Sequence, residues 1–171
     1  MVDVKSGDSL LLLIKNTEYQ KTIVNILKQF HLHKVCYVTL NKTSESLIEL
    51  FNKNKLNTKE IVFVDAISKT LLKTRKGKNQ YFVKSPSSIE EIYKTVDKLI
   101  GMGYTHIVFD SLTNLLVYKN KTEVKKFVMS LIELTAKKDV RILFYALLKH
   151  EYENLIKDVS NKVDRIIDYS E

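Results

Sequence analysis

The chain has 171 residues, 44% of them hydrophobic and 28% charged, which suits one globular domain large enough to bury a core. No stretch approaches the roughly 20 apolar residues of a membrane span, no signal-peptide pattern follows the first apolar run, and the lone Cys36 has no partner for an internal disulfide. The expectation is a cytoplasmic protein without membrane contact, with Cys36 a small core residue.

The net charge of +8 and pI near 9.4 raise the possibility of nucleic-acid binding. Arg75, Arg141 and Arg165 are the only arginines, however, and the lysines are scattered along the chain. Arginine is the side chain suited to bidentate phosphate and base recognition, so a solvated lysine surface is the expected reading.

In chain order, apolar runs alternate with segments of helical period. Strands are predicted at Leu10–Ile14, Val35–Leu40, Ile61–Asp65, His106–Asp110 and Ile142–Leu148, with a short last one at Arg165–Tyr169. The first five are nearly continuous apolar runs, as in parallel strands covered on both faces. Between them, Ile23, Ile26, Leu27 and Phe30 fall at i, i+3, i+4 and i+7. So do Ile89, Ile92, Tyr93 and Val96, then Val124, Phe127, Val128 and Leu131, then Tyr152, Leu155, Ile156 and Val159; Leu47, Leu50 and Phe51 form a shorter set. Ser85-Pro86 reads as a helix start, with Ser87 and Glu90 as a capping box.

The alternation predicts a three-layer α/β/α sandwich with a mostly parallel central sheet, in one domain over residues 1–171. Ligands of such folds sit at the carboxyl edge of the strands. The one long connection, Ala66 to Gln80, carries Lys73, Arg75, Lys76 and Lys78, the candidate nucleic-acid loop. The Tyr81 and Phe82 that follow read as a packing strand. Asp65, ending a strand, reads as a turn cap. His31 and His33 read as surface turn residues, with no metal site; His106 and His150 have no evident triad partner.

The segment Lys15 to Thr22 has the register of a Walker A motif, G-x-x-x-x-G-K-[ST], with its terminal Lys21-Thr22. Lys15 and Gln20 stand where the two glycines belong. A phosphate loop needs glycine for close approach and unusual dihedrals. The order of segments resembles the KaiC/RadA branch of the RecA-like ATPases across almost the entire chain. The residues carrying the resemblance are the Lys15–Thr22 register, the strand Tyr37 to Leu40 followed by Asn41-Lys42-Thr43-Ser44-Glu45-Ser46-Leu47-Ile48, the strand Ile61 to Asp65, a Walker B-like strand ending in Asp110-Ser111, and the strand Arg141 to Leu148.

That resemblance implies a nucleotide site in which Lys21 would hold phosphate, Thr22 would ligate magnesium and Asp110 would position it. It also implies a glutamate pair after the second strand, one member being the base that activates water. Asn41 and Lys42 stand there instead, and neither is a carboxylate base. Two parts of a hydrolase site are therefore missing, and no catalytic residue is assigned. The expectation is that Lys21 and Asp110 pair across an empty site; the alternative is weak anion binding at the helix N-terminus. The function expected is a non-catalytic pseudo-ATPase serving as a regulatory or interaction module, with a protein partner or self-association and no cofactor. The alternatives are a binder of ATP or ADP with magnesium that hydrolyses little or nothing, and a nucleic-acid-binding accessory protein.

Overall fold

A computed structural model describes residues 7–71 and 77–169. Lys73, Arg75 and Lys76 of the basic loop lie outside the described residues. Seven strands form one sheet: β1 (Ser9–Ile14), β2 (Val35–Thr39), β3 (Ile61–Asp65), β4 (Gln80–Phe82), β5 (His106–Asp110), β6 (Arg141–Leu147) and β7 (Arg165–Tyr169). Their spatial order is β4-β3-β2-β5-β6-β1-β7, and every neighbouring pair is parallel. The six predicted strands are present within a residue or two of their expected ends. The packing strand at Tyr81-Phe82 is β4, an edge strand beside β3.

Helices cover both faces, which is why the central strands are apolar on successive residues rather than alternating. On one face, α1 (Tyr19–Gln29) and α2 (Ser44–Lys53) pack Ile23, Leu27, Leu47 and Phe51 against Leu10, Leu12, Tyr37 and Tyr145. On the other, α3 (Ile89–Gly101), the short α4 (Leu112–Leu115), α5 (Lys121–Lys137) and α6 (Glu153–Ser160) bury Val96, Leu131 and Leu155 against Leu11, Ile107 and Phe144. Cys36 is fully buried in this second core. Among the described residues no helix is long and apolar enough to cross a membrane.

The capping box expected at Ser87 and Glu90 is not formed. The serines bond one another instead, Ser85 Oγ lying 2.7 Å from Ser87 Oγ and 3.1 Å from Ser88 Oγ. Helix α3 begins after Ser88 without a side-chain cap, and Glu91 accepts from the Lys84 N–H at 2.9 Å. A complete capping box sits at α5, where Asn120 accepts from the Glu123 N–H at 2.9 Å and Glu123 accepts from the Asn120 N–H at 3.3 Å. Asn120→Ala is expected to lower stability by about 1 kcal/mol in urea unfolding; no measurable change would mean that this box contributes nothing.

In chain order the connections lead from β2 outward to β3 and β4 and from β5 the opposite way to β6. The carboxyl ends of β2 and β5 therefore flank a topological switch point, where open α/β sheets form their ligand crevice. Thr39 and Asp110 are register partners at that point.

Candidate functional site

Asp110 ends β5 with its side chain on the α1 face and no solvent exposure. Its Oδ2 accepts hydrogen bonds from two phenols, Tyr19 at the start of α1 and Tyr37 of β2, the latter at 2.5 Å. Burial and the Asp110 charge raise both phenol pKa values, so both stay protonated and able to donate. The amide of Asn41 lies against the Tyr19 hydroxyl. Burial pushes the Asp110 carboxyl up to about 6, against the two phenols and the charge of Lys42, which pull it down.

Asp65, at the end of β3, has the opposite balance. Its carboxylate accepts from the Ser44 N–H and Oγ at 2.6 and 2.7 Å, the Ile67 N–H at 2.8 Å, and the Ser68 N–H and Oγ at 2.8 and 2.6 Å. These donors hold the Asp65 carboxyl below its ordinary value despite the cost of burial. The expected turn cap is present, and it also ties the start of α2 to β3.

The segment with the Walker A register does not wrap a hollow. Lys15 is extended, a single 3₁₀ turn covers Asn16–Glu18, and α1 follows at once. The Glu18 and Tyr19 N–H groups donate to Lys15 O and Asn16 O, so these amides close the turn. Lys55 and Asp139 are the only non-glycine residues at positive φ among those described. The turn thus avoids the left-handed region and forms without glycine.

The expected Lys21–Asp110 pair is absent. Lys21 lies 3.4 Å from Glu18 in an ion pair that leaves its side chain 76% exposed. The reason is helical geometry: Lys21 follows Tyr19 by two residues, about 200° around the helix, and Tyr19 faces the sheet. Thr22 is buried, while Lys15 and Gln20 are exposed. Lys42 is half-buried, and its backbone N–H and C=O both engage Thr39 Oγ1, at 3.3 and 2.7 Å. Ser111 caps α4, accepting from the Asn114 N–H at 3.3 Å. The Asp110–Ser111 peptide bond is cis. An open hollow of about 550 Å³ outside this turn is lined by Lys15, Thr17, Lys21, Thr22, Asn25 and Tyr169, together with the Glu18 carboxylate that pairs with Lys21.

Sequence reasoning assigned no part to Tyr19, Tyr37 or Tyr145. One signal was available: Tyr19 stands four residues before Ile23, on the apolar stripe, and a tyrosine buried there needs a partner for its hydroxyl. His31 and His33 are exposed, as expected, and the His33 ring stacks on that of buried His106 with centroids 4.2 Å apart. Lys78 is exposed. Among the described residues no three His, Cys, Asp or Glu side chains are grouped to hold a metal.

The model of a family of unknown function (DUF7090) matches residues 3–171. No curated protein matches. Among solved structures, the chain is similar to the crystal structure of a KaiC-like protein from the hyperthermophilic archaeon Pyrococcus horikoshii OT3. The TM-score is 0.57 at 9% identity, covering 84% of this chain and 62% of that one. The chain thus spans less than two thirds of its neighbour, and at this identity the likeness speaks for the RecA-like fold alone.

Proposed function

The chain belongs to the DUF7090 family, and we propose that it is a non-catalytic RecA-like domain serving as a regulatory or protein-interaction module. The observation that carries this reading is the Tyr19 hydroxyl bonded to Asp110. A carboxylate at this strand end would need an open oxygen facing a hydrated cation to position magnesium. Here two phenols take one oxygen, the group is fully buried, and α1 stands in front of it. Asn41 and Lys42, in place of acidic residues, supply no general base. A partner would be a second protein or another copy of the chain. In support, edge strand β7 has a half-exposed Ile166, and Val117 and Tyr118 are exposed beyond α4.

The test is thermal unfolding with magnesium-ATP and magnesium-ADP, beside Lys21→Ala. A nucleotide at 100 times its dissociation constant would stabilise the folded state by about 2.7 kcal/mol, or roughly 5–10 °C for a chain of this size. The expected result is no shift in either protein. A magnesium-dependent rise lost in Lys21→Ala would sink the proposal. It would favour a second reading, that of a nucleotide binder with little or no hydrolysis, for which the lysine-lined hollow beside α1 speaks.

A further inference from the structure

Three buried side-chain atoms lack a partner among the protein's own groups in the described residues: Asp110 Oδ1, Asn41 Oδ1 and Tyr145 Oη. All three belong to the surroundings of one carboxylate. Phe109 of β5 pairs in register with Phe144 of β6, so Asp110 and Tyr145 follow as neighbours on adjacent strands. The Asp110 charge acts on the Tyr145 phenol. Asn41 follows β2, two residues after Thr39, the register partner of Asp110, and its amide touches Tyr19, which bonds Asp110. Tyr145 is 1% exposed and Asp110 0%. Buried polar groups almost always find a partner, and three orphans around one residue indicate a shared one.

The donor and acceptor count identifies it. Asp110 Oδ1 and Asn41 Oδ1 are acceptors with nothing donating to them. Tyr145, held protonated by burial, has an O–H to give. A single water matches this set: it donates twice, to the two acceptors, and accepts once. Three bonds are typical of a buried water. A monovalent cation would suit the two acceptor oxygens but would leave the Tyr145 proton without an acceptor.

We propose that the crevice between β2, β5 and β6 contains a specific site for one structural water, bonded to Asp110 Oδ1, Asn41 Oδ1 and Tyr145 Oη. The water and Tyr19 together complete the coordination of Asp110 from inside the fold. This deepens the reading of the edge as closed to nucleotide and rests on it.

A crystal structure of the wild-type chain grown without nucleotide, at a resolution that orders internal water, tests the site directly. Thermal unfolding of Tyr145→Phe tests its energetics. Density within hydrogen-bond distance of all three atoms, with Tyr145→Phe melting about 2–4 °C lower, is the expected result. A dry site, with Tyr145→Phe melting higher because an orphaned hydroxyl has gone, would overturn the proposal. So would wild-type stability that differs among sodium, potassium and choline chloride at equal ionic strength, which would assign the site to a cation. A nucleotide-dependent melting shift is a separate outcome: it removes the closed-edge reading and leaves the water to be decided by the density.

Discussion

Asp110→Asn is expected to stabilise the protein by about 1–3 kcal/mol at pH 7.5, raising its melting temperature by several degrees. The carboxyl is held up to about 6, with burial the largest cause. A group raised in this way gives the folded state more protons than the unfolded state between pH 3.8 and 6. Its burial therefore costs nothing below the lower value and its full amount above the upper one. Asparagine keeps an oxygen for the phenols of Tyr19 and Tyr37 and removes the buried charge. Its amide also supplies a donor on the side where Asp110 Oδ1 and Asn41 Oδ1 lack protein partners. Urea unfolding at pH 7.5 and pH 4 checks this: the gain should be present at the first and gone at the second. A variant less stable than wild type at pH 7.5 would show that the charge of Asp110 is compensated by something the two phenols do not provide.

The second large effect is at the opposite edge of the sheet and has the opposite sign. His106, 4% exposed, is pushed down to about 3 by burial and by the charges of His33 and Arg141. Its Nδ1 lies 2.9 Å from Thr105 Oγ1, and Arg141 Nη1 donates to its Nε2 at 3.0 Å, an arrangement only the neutral ring can accept. The unfolded chain takes up this proton below pH 6.5 and the folded chain does not. Stability therefore falls as the pH is lowered from 6.5 toward 3, by about 1.4 kcal/mol per pH unit and on the order of 5 kcal/mol in all.

Between pH 6 and 4 this loss runs against the gain from Asp110, and the wild-type profile should be nearly flat. The variants separate the two. His106→Gln should gain stability as the pH falls through that window, and Asp110→Asn should lose it. Parallel profiles for the two variants would refute both assignments. The carboxylates held low by their donors, Asp65 and Asp164, add their own losses only below their ordinary values.

The layout of this molecule was largely legible in its sequence because parallel strands covered on both faces leave continuous apolar runs, as at Val35–Thr39 and Ile61–Asp65. Asp65 and Asp110 were placed at strand ends for the same reason. What the runs do not encode is which side chain meets which across the sheet. Tyr19 and Asp110 are 91 residues apart, and only the crossover of α1 over β6 and β5 brings them together. Lys21 suggested a partner for Asp110 because charge suggests charge, yet helix phase directs it to solvent and gives the contact to Tyr19. The capping box expected at Ser87 and Glu90 fails because Ser85 hydrogen-bonds Ser87 and Ser88 instead, a competition among neighbouring hydroxyls that spacing alone does not resolve. Helix α4, at four residues, is too short to show a period.

The placement of β1 has a consequence for how the chain is made. β1 lies between β6 and β7, and Ser9 bonds Asp164, 155 residues away. Of the seven described strands, the first to be made is thus the last to acquire neighbours on both sides. β2, β3 and β5 can pair with one another while Leu10–Ile14 still waits without a sheet. For that interval an aliphatic segment of high aggregation propensity stands exposed on the nascent chain. Completing the sheet around β1 therefore waits on contacts of long sequence separation, which a fold of local hairpins does not need.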